Sequence, residues 1–155
     1  MKTDTRLSGV LHVLLHIAQQ DRPATSDTLA LAMETHPVVI RRVLAGLRER
    51  GLVRSEKGHG GGWSLARPLA EITLRDVHEA LGSPTVLAIG NRAEAPTCLV
   101  EQAVNAALDD VFDEAQAVLL RGLGGVTLAT LSADFHARLK ARATTGTLED
   151  AHVGH

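Results

Sequence analysis

Aromatic side chains are nearly missing from this chain: it has no tyrosine, two phenylalanines, and a single tryptophan, Trp63. A core that is 2% aromatic must be built from Leu, Val, Ile and Ala. That favours packed helices over a β-sandwich, whose pleated faces want Tyr, Phe and Trp. The scarcity of rings also argues against binding single-stranded nucleic acid by stacking bases on aromatic platforms. Cysteine occurs once, at Cys98, so no disulfide framework forms within one chain. No apolar run is long enough to span a bilayer. The opening residues MKTDTRLSG lack the layout of a signal peptide. The expectation is a cytoplasmic protein with no membrane partner.

What is present is a hydrophobic content of 45% over 155 residues. This is enough for one domain, or one small domain with an extension, and too much for a disordered chain. The net charge of −2 hides an asymmetry. Residues 1–82 carry 11 Lys/Arg against 9 Asp/Glu, while residues 83–155 carry 5 against 9. Between Arg41 and Arg67, seven basic residues face only Glu49 and Glu56. A local excess of that size attracts a polyanion even in a slightly acidic chain.

The basic stretch has an order of its own, VVIRRVLAGLRERGLVRSEKGHGGGWSLARP from Val38 to Pro68. Thr35 or His36 caps a helix with Pro37 in its first turn, where a missing N–H costs nothing. Ile40, Val43, Leu44 and Leu47 form its inward stripe, leaving Arg41 and Arg42 outside. Gly51 closes the helix. Leu52–Ser55 and Trp63–Ala66 read as strands around a glycine tip, Gly58 to Gly62, with Trp63 anchoring the second strand. The tip's N–H groups suit phosphate oxygens. An NTPase phosphate loop is excluded, because a strand follows the glycines and no Lys-Ser/Thr does.

Before this unit, a helix is expected over Arg6–Gln20, capped by Thr5 or Asp4. A short one starting at Thr25 buries Leu29, Ala30, Ala32 and Met33. Two short helices joined by a tight turn, the second with a basic front, have helix-turn-helix geometry. A fourth helix spans Thr73–Leu81, with Thr73 and Asp76 as a capping box.

The expected divisions are a DNA-binding domain over 1–82, a linker over 83–96, a helical dimerisation region over 97–142 and a disordered tail over 143–155. A patch at Val86–Ile89 in the linker should tuck against something. The longest helix, about Thr97–Leu123, carries an apolar row of Val100, Val104, Ala107, Val111, Ala115 and Val118. That row should pack partly on the first helix and partly on the same helix of a second copy. Gly122, Gly124 and Gly125 should break it, and a short helix over Leu128–Ala141 should follow. The fold class is therefore mostly α with a small β-hairpin, a winged helix-turn-helix with a long C-terminal dimerisation helix.

No Ser-His-Asp order with a nucleophile elbow is present, and Cys98 has no recognisable base partner, so an enzyme is not expected. His12 and His16 have a spacing that suits a metal, but no third ligand is poised beside them. Cys98 begins a helix, where the thiolate is favoured, and is a redox-sensing candidate.

With these residues in view, the chain resembles the Rrf-type winged-helix transcription regulators of bacteria. The likeness rests on HPVVIRRVLAGLRERGLV (His36 to Val53), GHGGGWSLARP (Gly58 to Pro68) and EITLRDVHEAL (Glu71 to Leu81). The cysteine-led long helix and TLATL (Thr127 to Leu131) support it more weakly. The resemblance implies a homodimer on double-stranded DNA with an inverted repeat. It implies a reading helix that begins at Thr35 and His36 and presents Val38, Val39, Arg41 and Arg42. Wing contacts would fall on Lys57, His59, Gly60 and Gly61, and phosphate contacts on Thr25 and Ser26. Cluster-binding relatives have three cysteines near the start of the long helix. One per chain does not hold an iron–sulfur cluster of the usual type, so no cofactor is expected.

The functional reading is a sequence-specific DNA-binding regulator, a repressor, answering to an oxidant or to a small molecule near Val86–Ile89. Its rival is a winged-helix protein-interaction module whose basic face binds an acidic protein.

Overall fold

Three capping arrangements set the first half of the chain. In the computed structural model, which describes residues 4–87 and 89–150, helix α1 spans Arg6–Ala18. Thr5 precedes it without a side-chain cap, and Asp4 Oδ1 instead accepts the Arg6 N–H at 2.9 Å. Helix α2, Ser26–Ala32, is capped by Thr25, whose hydroxyl accepts the Thr28 N–H at 3.1 Å. Helix α3, Pro37–Glu49, is capped by His36, whose Nδ1 accepts the Val38 N–H at 3.2 Å. α1 stops two residues before the expected Gln20. Ala32 is exposed rather than buried, because the inward face of so short a helix is filled by Leu29 and Ala30.

Strands β1 (Val53–Glu56) and β2 (Gly62–Leu65) form an antiparallel hairpin with Val53 opposite Leu65 and Glu56 opposite Gly62. Each sits one residue from its expected bounds. Leu52 is spent on α3, its N–H donating to the Leu47 carbonyl at 3.0 Å. Ala24 pairs with Trp63 through bonds of 2.9 and 2.8 Å, so the chain entering α2 adds a one-residue third strand. That approach requires glycine at the next position, since a Cβ on Gly62 would lie 2.6 Å from the Ala24 carbonyl.

A 3-10 turn at Leu69–Glu71, which the sequence did not signal, leads into α4, Leu74–Ala80, where Thr73 and Asp76 make the expected capping box. The core draws Val10, Val13, Leu14 and Ile17 from α1, Ile40, Leu44 and Leu47 from α3, and Leu52, Trp63, Ile72 and Val77 from the elements between and after. Leu128, the first residue of the last helix, α6 (Leu128–Asp150), completes it. Leu128 thus packs into the same core as α1, α3 and α4.

Helix α5 spans Leu99–Gly124, and Gly122 does not break it. One glycine costs about 1 kcal/mol against alanine, little beside the remaining turns. The expected packing of α5 on α1 is corrected. α5 packs against α4, while α6 takes the place beside α1. The linker lies along α5, held by Asn105 Nδ2 on the Ala93 carbonyl (2.8 Å), Gln102 Nε2 on the Pro96 carbonyl (3.0 Å) and Asn91 Nδ2 on Asp109 Oδ1 (2.7 Å). Val86 and Ile89 of the expected tucked patch remain exposed, and Ala88 lies outside the described residues.

Helix α6 spans Leu128–Asp150 and so runs through the stretch expected to be a short helix and a disordered tail. Thr144 and Thr145 return their hydroxyls to the carbonyls of Lys140 and Ala141 at 2.9 and 3.0 Å, a bond that lets threonine sit inside a helix. Residues 151–155 of that tail lie outside the described residues. No helix among the described residues is long and apolar enough to cross a membrane.

Candidate nucleic-acid interface

The buried line Ile40, Leu44 and Leu47 fixes how α3 is turned. At about 100° per residue, the line farthest from it is Val38, Arg42, Ala45 and Glu49. Val38 is 50% exposed, an unusual state for a valine. Val39 is 48% exposed but sits on one flank, bordering a groove with Val10 and Val13 of α1. Arg41 and Arg48 lie on the other flank, toward the hairpin. The sequence singled out Val38, Val39, Arg41 and Arg42 and missed Ala45. The spacing i, i+4, i+7 opposite the core was the signal that places Ala45 with Val38 and Arg42.

Among the described residues, no ion pair neutralises Arg41, Arg42 or Lys57. All three are exposed. The basic front is therefore uncompensated by the protein itself and is free for an outside anion.

At the hairpin tip the Gly61 N–H donates to the Gly58 carbonyl at 3.1 Å. Gly58 and Gly60 hold φ of 92° and 78°, which side-chain-bearing residues rarely adopt. A Cβ on Gly61 would run into the Glu56 carbonyl. Lys57, His59 and Gly60 are exposed around this tight turn.

The hairpin is tied back by Trp63, whose Nε1–H donates to Ser26 Oγ at 3.0 Å. The indole is 8% exposed, so it anchors the strand and is not available for stacking. Ser26 accepts in that bond and keeps its own hydroxyl proton for another acceptor. Thr25 faces Thr28, hydroxyl to hydroxyl at 2.9 Å, and remains exposed. Thr35 is exposed, with its N–H on the Ala30 carbonyl at 2.9 Å. Arg48 Nη1 donates to Ser55 Oγ at 3.1 Å, with its guanidinium 5.8 Å from the Trp63 ring centre. The Trp63–Ser26 and Arg48–Ser55 bonds join the hairpin to the start of α2 and the end of α3, while Val39 lies on the opposite flank of α3 beside α1.

Away from this side, Cys98 is the exposed N-cap residue of α5. Its thiol closes no capping hydrogen bond. The backbone N–H groups of Glu101 and then Val100 nevertheless hold its pKa below the ordinary thiol value. His12 and His16 approach Nε2 to Nε2 at 3.0 Å. Burial, and then the neighbouring His12, pushes His16 below the ordinary imidazole range. Among the described residues, no three His, Cys, Asp or Glu side chains gather closely enough to hold a metal ion.

The apolar row on α5 is exposed along its length. Val100, Val104, Val111 and Val118 are 72%, 49%, 60% and 54% exposed. Ala107 and Ala115, between them, are exposed too.

Comparison with known proteins places this architecture. The family model Rrf2, described as an iron-dependent transcriptional regulator, matches residues 3–134. YwnA of Bacillus subtilis, named as an HTH-type transcriptional regulator, is 29% identical over 125 residues, covering 81% of this chain and 92% of YwnA. A solved structure described as a transcriptional regulator from Lactobacillus plantarum superposes with a TM-score of 0.70 at 25% identity, over 91% of this chain and 98% of that one. CymR of B. subtilis, titled a global cysteine regulator, shares the fold with a TM-score of 0.60 at 22% identity, over 86% of this chain and 97% of CymR. A helix-turn-helix with an uncompensated basic front, a glycine-tipped hairpin and a long helix beyond them are here joined to a family match over most of the chain. The chain belongs to the Rrf2 family and is a DNA-binding transcriptional regulator, not an enzyme.

Proposed function

We propose that the protein is a cytoplasmic homodimeric repressor that binds an inverted repeat. The observation that carries the dimer is the row of exposed valines on α5. A lone helix that leaves four valines in water buries them when the same helix of a second copy crosses it, and Ala107 and Ala115 let the backbones approach closely. A two-fold dimer presents two identical heads, and two heads ask for two identical half-sites. Occupying them with a dimer's bulk denies promoter DNA to the polymerase, hence repression.

In each head, Val38 and Arg42 point into the major groove. Arg42 suits a guanine edge, and the Val38 methyls suit the methyl group of thymine. Val39, Thr35 and His36 border this contact at the start of α3. Arg41, Lys57, His59 and the glycine tip at Gly60 and Gly61 meet the DNA backbone beside the groove, the Gly61 N–H staying on the Gly58 carbonyl. Thr25 and Ser26 meet phosphate at the N-terminus of α2.

The family description names iron, and the donor set of this chain does not fit a thiolate-bound cluster. Cys98 is the sole cysteine, and iron–sulfur clusters take several thiolates. We read the protein as working without a cluster. Two features remain for a signal. One is Cys98, open to oxidants. The other is a cleft of about 430 Å³ between the linker at Val86, Leu87 and Ile89 and α5 at Phe112, Ala115, Val118 and Leu119, which shares Ala115 and Val118 with the dimer row and has a size and apolarity that suit a small uncharged molecule.

The salt dependence of binding to promoter DNA tests the reading. Several phosphate contacts give a steep log–log slope, about −0.9 per phosphate neutralised. Binding that is weak and indifferent to sequence, with tight capture of an acidic protein instead, would favour the interaction module.

A further inference from the structure

Ser26, Trp63, Arg48 and Ser55 form one continuous set of contacts between elements that are far apart in the chain. The Trp63 indole N–H is on Ser26 Oγ at 3.0 Å, which ties β2 to the start of α2. The Arg48 guanidinium lies 5.8 Å from the Trp63 ring centre. Its Nη1 donates to Ser55 Oγ at 3.1 Å, which ties the end of α3 to β1. Arg48 thus spans both strands of the hairpin from the last turn of the reading helix.

Sequence alone groups Arg48 with the other basic residues of α3 as charge offered to DNA. Its surroundings set it apart. Arg41, on the same flank two turns earlier, and Arg42 have no ion-pair partner among the described residues, whereas Arg48 donates to Ser55 and lies near the Trp63 ring. It also lies on the hairpin flank of α3, away from the line of Val38 and Arg42.

We infer that Arg48 is a positioning residue. It fixes the angle between the reading helix and the wing, so that major-groove and wing contacts engage as one rigid body. The inference rests on the proposed DNA-facing role of α3 and the wing. Its physical content is that the Arg48 side chain adds to the backbone bonds of Leu52 to Leu47 and of Ala24 to Trp63 in fixing how the hairpin leaves α3 after Gly51. Without Arg48 the base of the hairpin stays anchored through Ala24, Val53 and Trp63, but the α3 end loses its tie to β1, and binding must restore that angle.

Arg48→Lys separates positioning from charge. Lysine keeps the positive charge that a phosphate contact needs, but it loses the guanidinium's contact with the Trp63 ring and its fixed donor geometry. The account expects Arg48→Lys and Arg48→Ala both to weaken operator binding, by about 3- to 30-fold, the range that a stacked cation and one hydrogen bond span. It expects the slope of log affinity against log salt to stay at the wild-type value in both. Ser55→Ala should move affinity the same way by less, again with no change in slope. Hydroxyl-radical footprints should lose the wing's protection while keeping that of the reading helix. Thermal unfolding midpoints close to wild type for Arg48→Lys and Ser55→Ala exclude loss of the fold as the cause.

Wild-type affinity for Arg48→Lys, or a slope reduced by about one in Arg48→Ala, would make Arg48 a phosphate contact and overturn the inference. Arg42→Ala and Lys57→Ala serve as the reference. Each should reduce the slope or the affinity through direct contact, and if neither changes anything it is the placement of the DNA that fails, not the role of Arg48 within the head.

Discussion

The N–H of Leu128 donates to the carbonyl of Ile72 at 2.9 Å, and neither side chain keeps any exposure to solvent. Next to it the Leu74 N–H donates to the Val126 carbonyl at 3.0 Å. The turn that ends the long helix is thus zipped to the entry of α4 inside the head. The end of α5 is therefore joined to the head through packed core and not through the linker alone. Leu128→Ala should destabilise the head by about 2–5 kcal/mol, the usual cost of emptying a fully buried leucine site. Leu139→Ala, on the exposed outer part of α6, should stay within about 0.5 kcal/mol. Urea unfolding of the two variants compares them directly.

The capping box at Thr73 and Asp76, the His36–Pro37 start of α3 and the glycine-tipped hairpin were all legible in the sequence, because each is decided within a few residues. The pairing of Ala24 with Trp63 was not, since it joins strands 39 positions apart through backbone atoms that any residue carries. The role of Leu128 was hidden for a similar reason. Its apolar side chain fits a dimerisation helix as readily as a head core, and only the fold decides. Arg48 looked like Arg41 and Arg42 because composition counts charge and not partners. The length of α6 was missed because threonine is a poor helix former until its hydroxyl finds the carbonyl one turn back.

Thymine recognition by Val38 is open to a one-methyl experiment. Replacing the contacted thymine of the operator by uracil removes the methyl group and no hydrogen-bonding atom. Burial of one such group contributes about 0.8 kcal/mol, so wild-type affinity should fall about 3- to 5-fold. Val38→Ala should bind more weakly and respond less to the same replacement. Fluorescence anisotropy with paired operators reads both, and an equal response in the two proteins would place Val38 away from the base.

Charge on the exposed row of α5 should dissociate the dimer without unfolding the head. Val104→Glu and Val111→Glu each place a carboxylate where the partner helix would bury it, which costs several kcal/mol unless it is paired. Sedimentation should find monomers at concentrations where the wild type is dimeric, with an unchanged far-ultraviolet spectrum. Dimers of both variants would move the interface elsewhere.

The Cys98 thiol should react as one whose pKa lies below the ordinary value, since the N–H groups of Glu101 and Val100 favour the thiolate. The sign follows directly. A lowered pKa leaves more thiolate at a given pH, so alkylation by iodoacetamide should reach half its maximal rate at a lower pH in the folded protein than in urea. If the thiol is also the switch, diamide should weaken operator binding by the wild type and leave Cys98→Ser unaffected. Equal loss in both would remove Cys98 from the regulation.

The central claim is that two copies of one basic head read two copies of one sequence. Selection from random double-stranded DNA by the purified full chain, followed by sequencing of the bound pool, measures this most directly. The expected pool is an inverted repeat with half-site centres separated by about one helical turn or a multiple of it. Each half should hold a guanine and a thymine within about two base steps, the spacing that Arg42 and Val38 span at the rise of an α-helix. A pool with no enriched sequence, or one enriched for a single unrepeated site, would contradict it.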